Sequence, residues 1–379
     1  MRILYVSHTH PPEGEILDNV GGMQRVSQQL INELRRKDEV EVISETINVS
    51  EDGKIALQTA AFLFRNLFEL PHKVREHNAD VIVFSSMVTA SLAYFIRKKV
   101  SVPMITINHG RDVTLPVNIY QWFVPKIFHS LDGVISVSRA TREECIKRGM
   151  KPEKGVALPN GFDFKKLNNF PDKNESRNRL QQNFRIPLEN KFMLLTVGRK
   201  VKRKGHEWFI REVMPRLDDN VVYVTVGDGP EFENIDEAVD QSKCPHRIFL
   251  LGRQPDEVLK QAYAAADLFV MPNIPVEGDM EGFGIVLLEA NMARTPAVAA
   301  DLEGIKDVIN QGENGYRVPT RDANQFAETI NNILSNNLEH FSKQTRSYVQ
   351  EQFSWKHVAE QYIDFFQTII NRYTPANYN

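Results

Sequence analysis

The chain lacks most of what marks a specialised protein class. Its 379 residues hold two cysteines, Cys145 and Cys244, too few for a disulfide framework and without a His/Cys cluster of metal-ligand spacing beside them. A reducing cytoplasm is the expected setting. No stretch approaches the roughly 18–20 apolar residues needed to cross a bilayer. The run Ile3–Val6 behind Met1-Arg2 is too short for the core of a signal peptide. The net charge is −3, with 20 Lys/Arg against 18 Asp/Glu in residues 1–160 and 26 against 31 thereafter. Nothing in that balance recruits nucleic acid, although the faintly basic first half is compatible with peripheral docking at the inner face of a membrane. Catalytic signatures are missing too. There is no Gly-x-Ser-x-Gly, no His-Glu-x-x-His and no Asp-x-Asp, the nearest being Asp279-Met280-Glu281. Serine hydrolysis and metal-dependent chemistry therefore lack support, and neither metal nor cofactor is expected.

What is present is alternation. Short apolar, β-branched runs (Ile3–Val6, Val40–Ile43, Val81–Phe84, Met104–Ile107, Val134–Val137) are separated by helical patterns such as Arg25–Arg36 and Ala56–Glu76. This is the βα pattern of a parallel sheet covered by helices. It halts at Pro159-Asn160-Gly161 and a polar stretch, Lys165 to Asn183. It resumes with Met193–Val197, Val221–Val226, Ile248–Leu251, Leu268–Met271 and Ala297–Ala300. Two Rossmann-like α/β domains are predicted, residues 1–165 and 166–355, with the remaining segment 356–379 a terminal helix. Ligands of such sheets bind beyond the carboxyl ends of the strands, here in a cleft between the domains.

Motifs at strand-to-helix turns therefore carry the argument. The strongest is Glu281-Gly282-Phe283-Gly284-Ile285 continuing to Glu289. Glycines before a helix let a ligand approach the backbone, and the first-turn amides suit a diphosphate. Glu289 can accept hydrogen bonds from vicinal hydroxyls, and Glu281 can meet a sugar or developing positive charge. Either glutamate alone reads as a helix-end or solvated charge; the combination favours function. The segment Gly198-Arg199-Lys200-Val201-Lys202-Arg203-Lys204-Gly205 follows a strand. Arg199 offers a fork for phosphate oxygens and Lys204 a point charge, while Lys200, Lys202 and Arg203 read as solvated turn residues. It is not a Walker A loop. Weaker signals are Gly21-Gly22 before a helix, His109-Gly110 past a strand, Gly227-Asp228-Gly229-Pro230, and Leu251-Gly252-Arg253, which could line a nucleobase. The apolar run Ala61–Leu70, followed by Lys73 and Arg75, reads first as a buried helix and otherwise as a bilayer-docking face.

Together, residues 21–26, 159–163, 197–205, 227–230 and 281–290 resemble the retaining glycosyltransferases of family 4. The resemblance implies the GT-B architecture, two Rossmann-like domains facing across a cleft with the terminal helix crossing back to the first. It implies transfer of a sugar from a UDP- or GDP-sugar to a saccharide or lipid-linked hydroxyl, with retention and without metal, as in cell-surface glycan or glycolipid synthesis. Arg199 and Lys204 would hold the diphosphate, Glu289 the ribose, Glu281 the donor sugar, and the Gly282-Phe283-Gly284 backbone the sugar and phosphates. Gly22 would lie near the diphosphate and His109 near the sugar. The loop Ile274–Met280 resembles that of phosphatidylinositol mannosyltransferases. Arg294 departs from the family, whose members usually carry glycine there, and is expected to face solvent. A sugar-nucleotide epimerase, a phosphorylase or a non-catalytic binding subunit are the rival readings.

Overall fold

Each apolar run read from the sequence becomes a parallel strand. The computed structural model describes residues 1–10, 22–48, 55–162, 164, 169–336 and 338–373. Gly21 lies outside them. In the first sheet β1 (Arg2–His10), β2 (Glu41–Asn48), β3 (Val81–Phe84), β4 (Met104–Asn108), β5 (Gly133–Ser136) and β6 (Gly155–Ala157) take the order β2-β1-β3-β4-β5-β6. In the second, β7 (Phe192–Val197), β8 (Val221–Val226), β9 (Ile248–Leu250), β10 (Leu268–Met271), β11 (Ala297–Ala300) and β12 (Gly315–Val318) take the order β12-β11-β10-β7-β8-β9. β6 and β12 were not expected. Both are edge strands, and a strand paired on one side needs no continuous apolar run.

The sheets belong to separate units, Met1–Gly161 with Trp355–Asn379, and Phe162–Ser354. The helix Trp355–Arg372 returns to the first unit and packs on the helix Gly22–Leu34. Trp355 Nε1 donates to Gln29 Oε1 at 2.9 Å, and Lys37 pairs with Glu360 at 2.8 Å.

Aspartates pin the register. Asp80, Asp132 and Asp267, each just before a strand, accept from the first amides of neighbouring strands: Arg2 N at 2.7 Å, Met104 N at 2.9 Å and Met193 N at 2.7 Å. A one-residue slip would break these bonds and turn each strand's side chains over.

Two expectations change. The polar stretch beyond the first unit is partly helix, Lys173–Phe184, because Asp172 Oδ1 caps the amides of Asn174 and Glu175. The run Ala61–Leu70 is not a buried helix. Within the helix Ile55–Glu76, Phe62, Asn66 and Leu70 are buried at four-residue spacing, while Phe64 and Phe68 are 66% and 63% exposed.

Candidate active site

Three loops of the second unit meet at the carboxyl ends of β7, β10 and β11. The basic loop after β7 closes in one 3₁₀ turn, Lys202–Lys204. Gly205 follows at φ +67°, so close to β10 that a Cβ would stand 2.0 Å from the Pro272 carbonyl oxygen. That approach turns Lys204 inward, where its Nζ donates to Glu281 Oε2 at 2.5 Å. Arg203 donates to the same oxygen through one terminal nitrogen, and through Nε to Asp279 Oδ1 at 3.2 Å. Asn273 Nδ2 adds a third donor to Glu281, at 3.2 Å. Burial alone would push the Glu281 carboxyl up, but Lys204 and Arg203 outweigh it and hold it at about 2. Glu281 is a buried, fully ionised carboxylate.

The basic loop corrects the sequence reading. Lys202 is exposed, but Arg203 sits on the two carboxylates of Asp279-Met280-Glu281, and Lys200 is fully buried. The Lys200 ammonium lies 4.1 Å from the centroid of the Phe232 ring, and burial lowers its pKa to about 8 against the pull of Asp228 and Asp236. Arg199 is exposed and has no side-chain partner among the described residues.

The loop after β11 clamps the same segment from behind. Glu303, at φ +47°, accepts from the Glu281 amide at 2.5 Å, and Gly304 N donates to the Glu281 carbonyl at 3.0 Å. A Cβ on Gly304 would stand 2.1 Å from the Gly282 carbonyl oxygen, so only glycine permits this contact. Burial, reinforced by the Glu281 charge, raises the Glu303 carboxyl to about 7, although the amide hydrogen bond opposes it.

The helix Ile285–Met292 starts behind Gly284. Ile285, Val286 and Glu289 are its only partly exposed residues, so Glu289 stands one turn above the amides of Ile285 and Val286 on the same face, while the Leu287 amide donates to the Gly284 carbonyl at 3.0 Å. Tyr263 Oη donates to Glu289 Oε2 at 2.7 Å. Phe283 points inward against Phe353, ring centroids 5.9 Å apart. The helix ends in a Schellman motif. Arg294 N bonds the Asn291 carbonyl and Thr295 N the Ala290 carbonyl, both at 2.9 Å, with Arg294 exposed at φ +63°.

In the first unit His109 lies beyond β4. Its Nε2 is 3.0 Å from the Ser85 carbonyl, which accepts a proton from it, so Nδ1 is the acceptor. Burial lowers its pKa below the usual value despite Asp112. Asp112 joins two loops, accepting from His109 N at 2.8 Å and Met87 N at 2.9 Å. His8, buried past the middle of β1, places Nδ1 3.4 Å from Ser86 Oγ. Gly22 opens the helix Gly22–Leu34. Arg253 is exposed past the edge strand β9, three strands from β10, and does not join the Glu281 cluster.

The sequence and the fold match known proteins. A family model for group 1 glycosyl transferases matches residues 177–352, and one for glycosyltransferase family 4 matches residues 20–166. The chain belongs to the family 4 glycosyltransferases. This glycosyltransferase is 29% identical over 273 residues to the GDP-mannose-dependent alpha-(1-6)-phosphatidylinositol monomannoside mannosyltransferase of Mycolicibacterium smegmatis, covering 69% of each chain. It is 29% identical over 242 residues to an uncharacterized glycosyltransferase of Methanocaldococcus jannaschii, 62% of this chain and 59% of that one. Its fold is that of the sucrose-phosphate synthase of Thermosynechococcus elongatus, with a TM-score of 0.74 and 20% identity over 98% of this chain and all of that one. The Anabaena protein HepE in complex with UDP-glucose matches with a TM-score of 0.72 and 18% identity, over 97% of this chain and all of that one. These likenesses establish the GT-B fold.

Arg203, Asn273, Glu303 and Asp112 were not read from the sequence as site residues of this glycosyltransferase. The signal that finds Glu281 is its glycines and helical continuation in the segment after a strand; Asp301–Gly304 and Asp112 also follow parallel strands, but position alone does not tell which side chain turns inward.

Proposed function

We propose that this glycosyltransferase moves a hexosyl group from a UDP- or GDP-sugar to a hydroxyl of a saccharide or lipid-linked acceptor, with retention and without a metal ion, on the cytoplasmic side. The observation that carries the reading is the buried Glu281 carboxylate, fixed by Lys204 and Arg203 beside the amide-rich start of the helix Ile285–Met292. The donor's C1–O bond to the β-phosphate breaks as the acceptor oxygen bonds C1 on the same face, and the acceptor proton passes to the departing phosphate. Negative charge then grows on the diphosphate. The exposed Arg199 guanidinium, the two Lys204 protons not given to Glu281, and the first-turn amides stabilise it. Glu281 and the neutral His109, through Nδ1, hold the sugar's hydroxyls. Glu289 receives the ribose. The relatives' names support the two donor classes: one mannosyltransferase is GDP-mannose-dependent, and HepE holds UDP-glucose.

The test is a thermal-shift screen against UDP, GDP and ADP, followed by incubation of the sugar forms with an acceptor panel and NMR of the product's anomeric proton. Retention, with a rate unaltered by EDTA, is expected. An inverted anomer or a strict metal requirement overturns the mechanism. Conversion of the donor without any acceptor points to an epimerase, and binding without transfer to a non-catalytic subunit.

A further inference from the structure

The first unit carries an apolar surface that its own packing does not explain. Among the described residues, every large exposed hydrophobic side chain except Tyr316 belongs to this unit. The most prominent form one tract over adjoining helices. The helix Met87–Ile96 packs against both Ile55–Glu76 and Asn118–Ser130. Phe64 and Phe68 meet edge-on at 5.5 Å. Tyr94 and Phe95 contact each other, and both reach Phe123 across the helix boundary at 5.2 and 5.8 Å. Lys99, four residues beyond Phe95, places its Nζ 5.8 Å from the centroid of the Phe68 ring, and Ile119 and Trp122, 76% and 66% exposed, extend the tract. Side chains of this size expose on the order of 700 Å² together, beyond the largest patch of a typical monomer at roughly 300–600 Å².

Charge selects the occupant. The segments 87–99 and 118–130 contain no aspartate or glutamate. Lys98 and Lys99 have no ion-pair partner among the described residues, and Lys126 lies over the Trp122 ring at 3.2 Å. The carboxylates near the tract are spent: Glu69 pairs with Arg65 and Lys73, and Asp112 is consumed by backbone amides. Lys73, singled out from the sequence, is tied to Glu45 and Glu69 and is not the cation that matters. Tryptophan, tyrosine and phenylalanine beside free lysines are the composition of a bilayer interface, where rings settle at headgroup depth and ammonium groups meet anionic lipid.

We propose that this face of the first unit docks on an anionic lipid surface, with Phe64, Phe68, Phe95, Ile119 and Trp122 entering the headgroup layer and Lys98, Lys99 and Lys126 pairing with lipid phosphates. The docking stands independently of which sugar is transferred. The test is co-sedimentation of the full chain with vesicles of phosphatidylcholine alone and of phosphatidylcholine mixed with phosphatidylglycerol, at low and high salt. Binding to the mixed vesicles only, weakened by salt, is expected. Lys98→Gln combined with Lys99→Gln lowers partitioning roughly 30-fold, about fivefold for each lysine. Phe95→Ser with Trp122→Ser abolishes it while the melting temperature falls by no more than about 4 °C, since both side chains are more than half exposed. Equal binding to both vesicle types overturns the electrostatic part. No sedimentation with either, or a dimer in solution that Trp122→Ser dissociates, overturns the docking and makes the face an interface between copies.

Discussion

Arg294→Gly is expected to stabilise this glycosyltransferase, although it deletes a long charged side chain. Arg294 occupies the left-handed position after the helix Ile285–Met292, at φ +63°, with both Schellman hydrogen bonds formed. Its side chain is exposed and has no partner among the described residues. An L-residue in this conformation costs about 1–2 kcal/mol that glycine does not incur. Glycine returns part of that, about 0.4–1 kcal/mol, through the extra freedom it gives the unfolded chain. The net gain is about 0.5–1 kcal/mol. For a unit of 150–250 residues a change of that size moves Tm by about 1–4 °C. The comparison that isolates the backbone is Arg294→Ala, which keeps the strain and loses the side chain, and should match the parent within about 0.5 kcal/mol. Differential scanning calorimetry of the three proteins, without nucleotide, reads both numbers. If glycine and alanine both lower Tm by more than about 2 °C, the arginine side chain makes a contact that the exposed geometry denies it. The strain argument then fails.

Further outcomes follow from the Glu281 cluster. Glu281→Gln leaves Lys204 and Arg203 facing a neutral acceptor in a buried site, and should cost about 3–5 kcal/mol in urea unfolding at neutral pH. Because the folded Glu281 carboxyl is depressed to about 2, its contribution is complete above the ordinary value near 4.5 and is lost as pH falls through about 2; the variant should lack that acid-limb loss. Glu303 has the opposite sign. Its folded carboxyl is raised to about 7, so the fold favours the protonated form and loses stability as pH rises from about 4.5 through 7. Glu303→Gln should match the parent near pH 5 and melt higher near pH 8, and an equal difference at both values would refute the assignment. Arg199→Ala should leave the unliganded Tm unchanged yet weaken nucleoside-diphosphate binding by about 10–100-fold, as read by calorimetric titration, because a charge-assisted hydrogen bond contributes about 1.5–3 kcal/mol.

Physical context decides which features were legible in the sequence. Central parallel strands are buried on both faces, so β3, β4, β7, β8, β10 and β11 announce themselves as uninterrupted apolar runs. The edge strands β6 and β12, with sequences Gly-Val-Ala and Gly-Tyr-Arg-Val, carry no such mark. The Glu281–Glu289 segment is legible because its glycines, its place after a strand and its helical continuation are all local. Its supports are not local. Glu303 reaches the Glu281 amide from the next strand's loop. Lys200 vanishes into the core although it reads, with Lys202 and Arg203, as a solvated turn residue, because the loop's path, set by close contacts with the segment after β8, decides which side chain faces inward.

Arg203 shows what this changes chemically. In the sequence, Asp279-Met280-Glu281 is a defective version of an acidic metal-binding pair, and Arg203 is one charge among several. In the fold the guanidinium spans both carboxylates. The two carboxylates are balanced by Arg203, which cannot be deprotonated, together with the Lys204 ammonium. A site built this way fixes a buried, ionised carboxylate in place while these four groups carry no net charge. Arg199, on the same loop, is exposed and has no side-chain partner among the described residues. Removing Arg203 would take a cationic partner from both Asp279 and Glu281 at once, so its loss should harm the site more than the loss of Arg199, which the sequence had ranked above it.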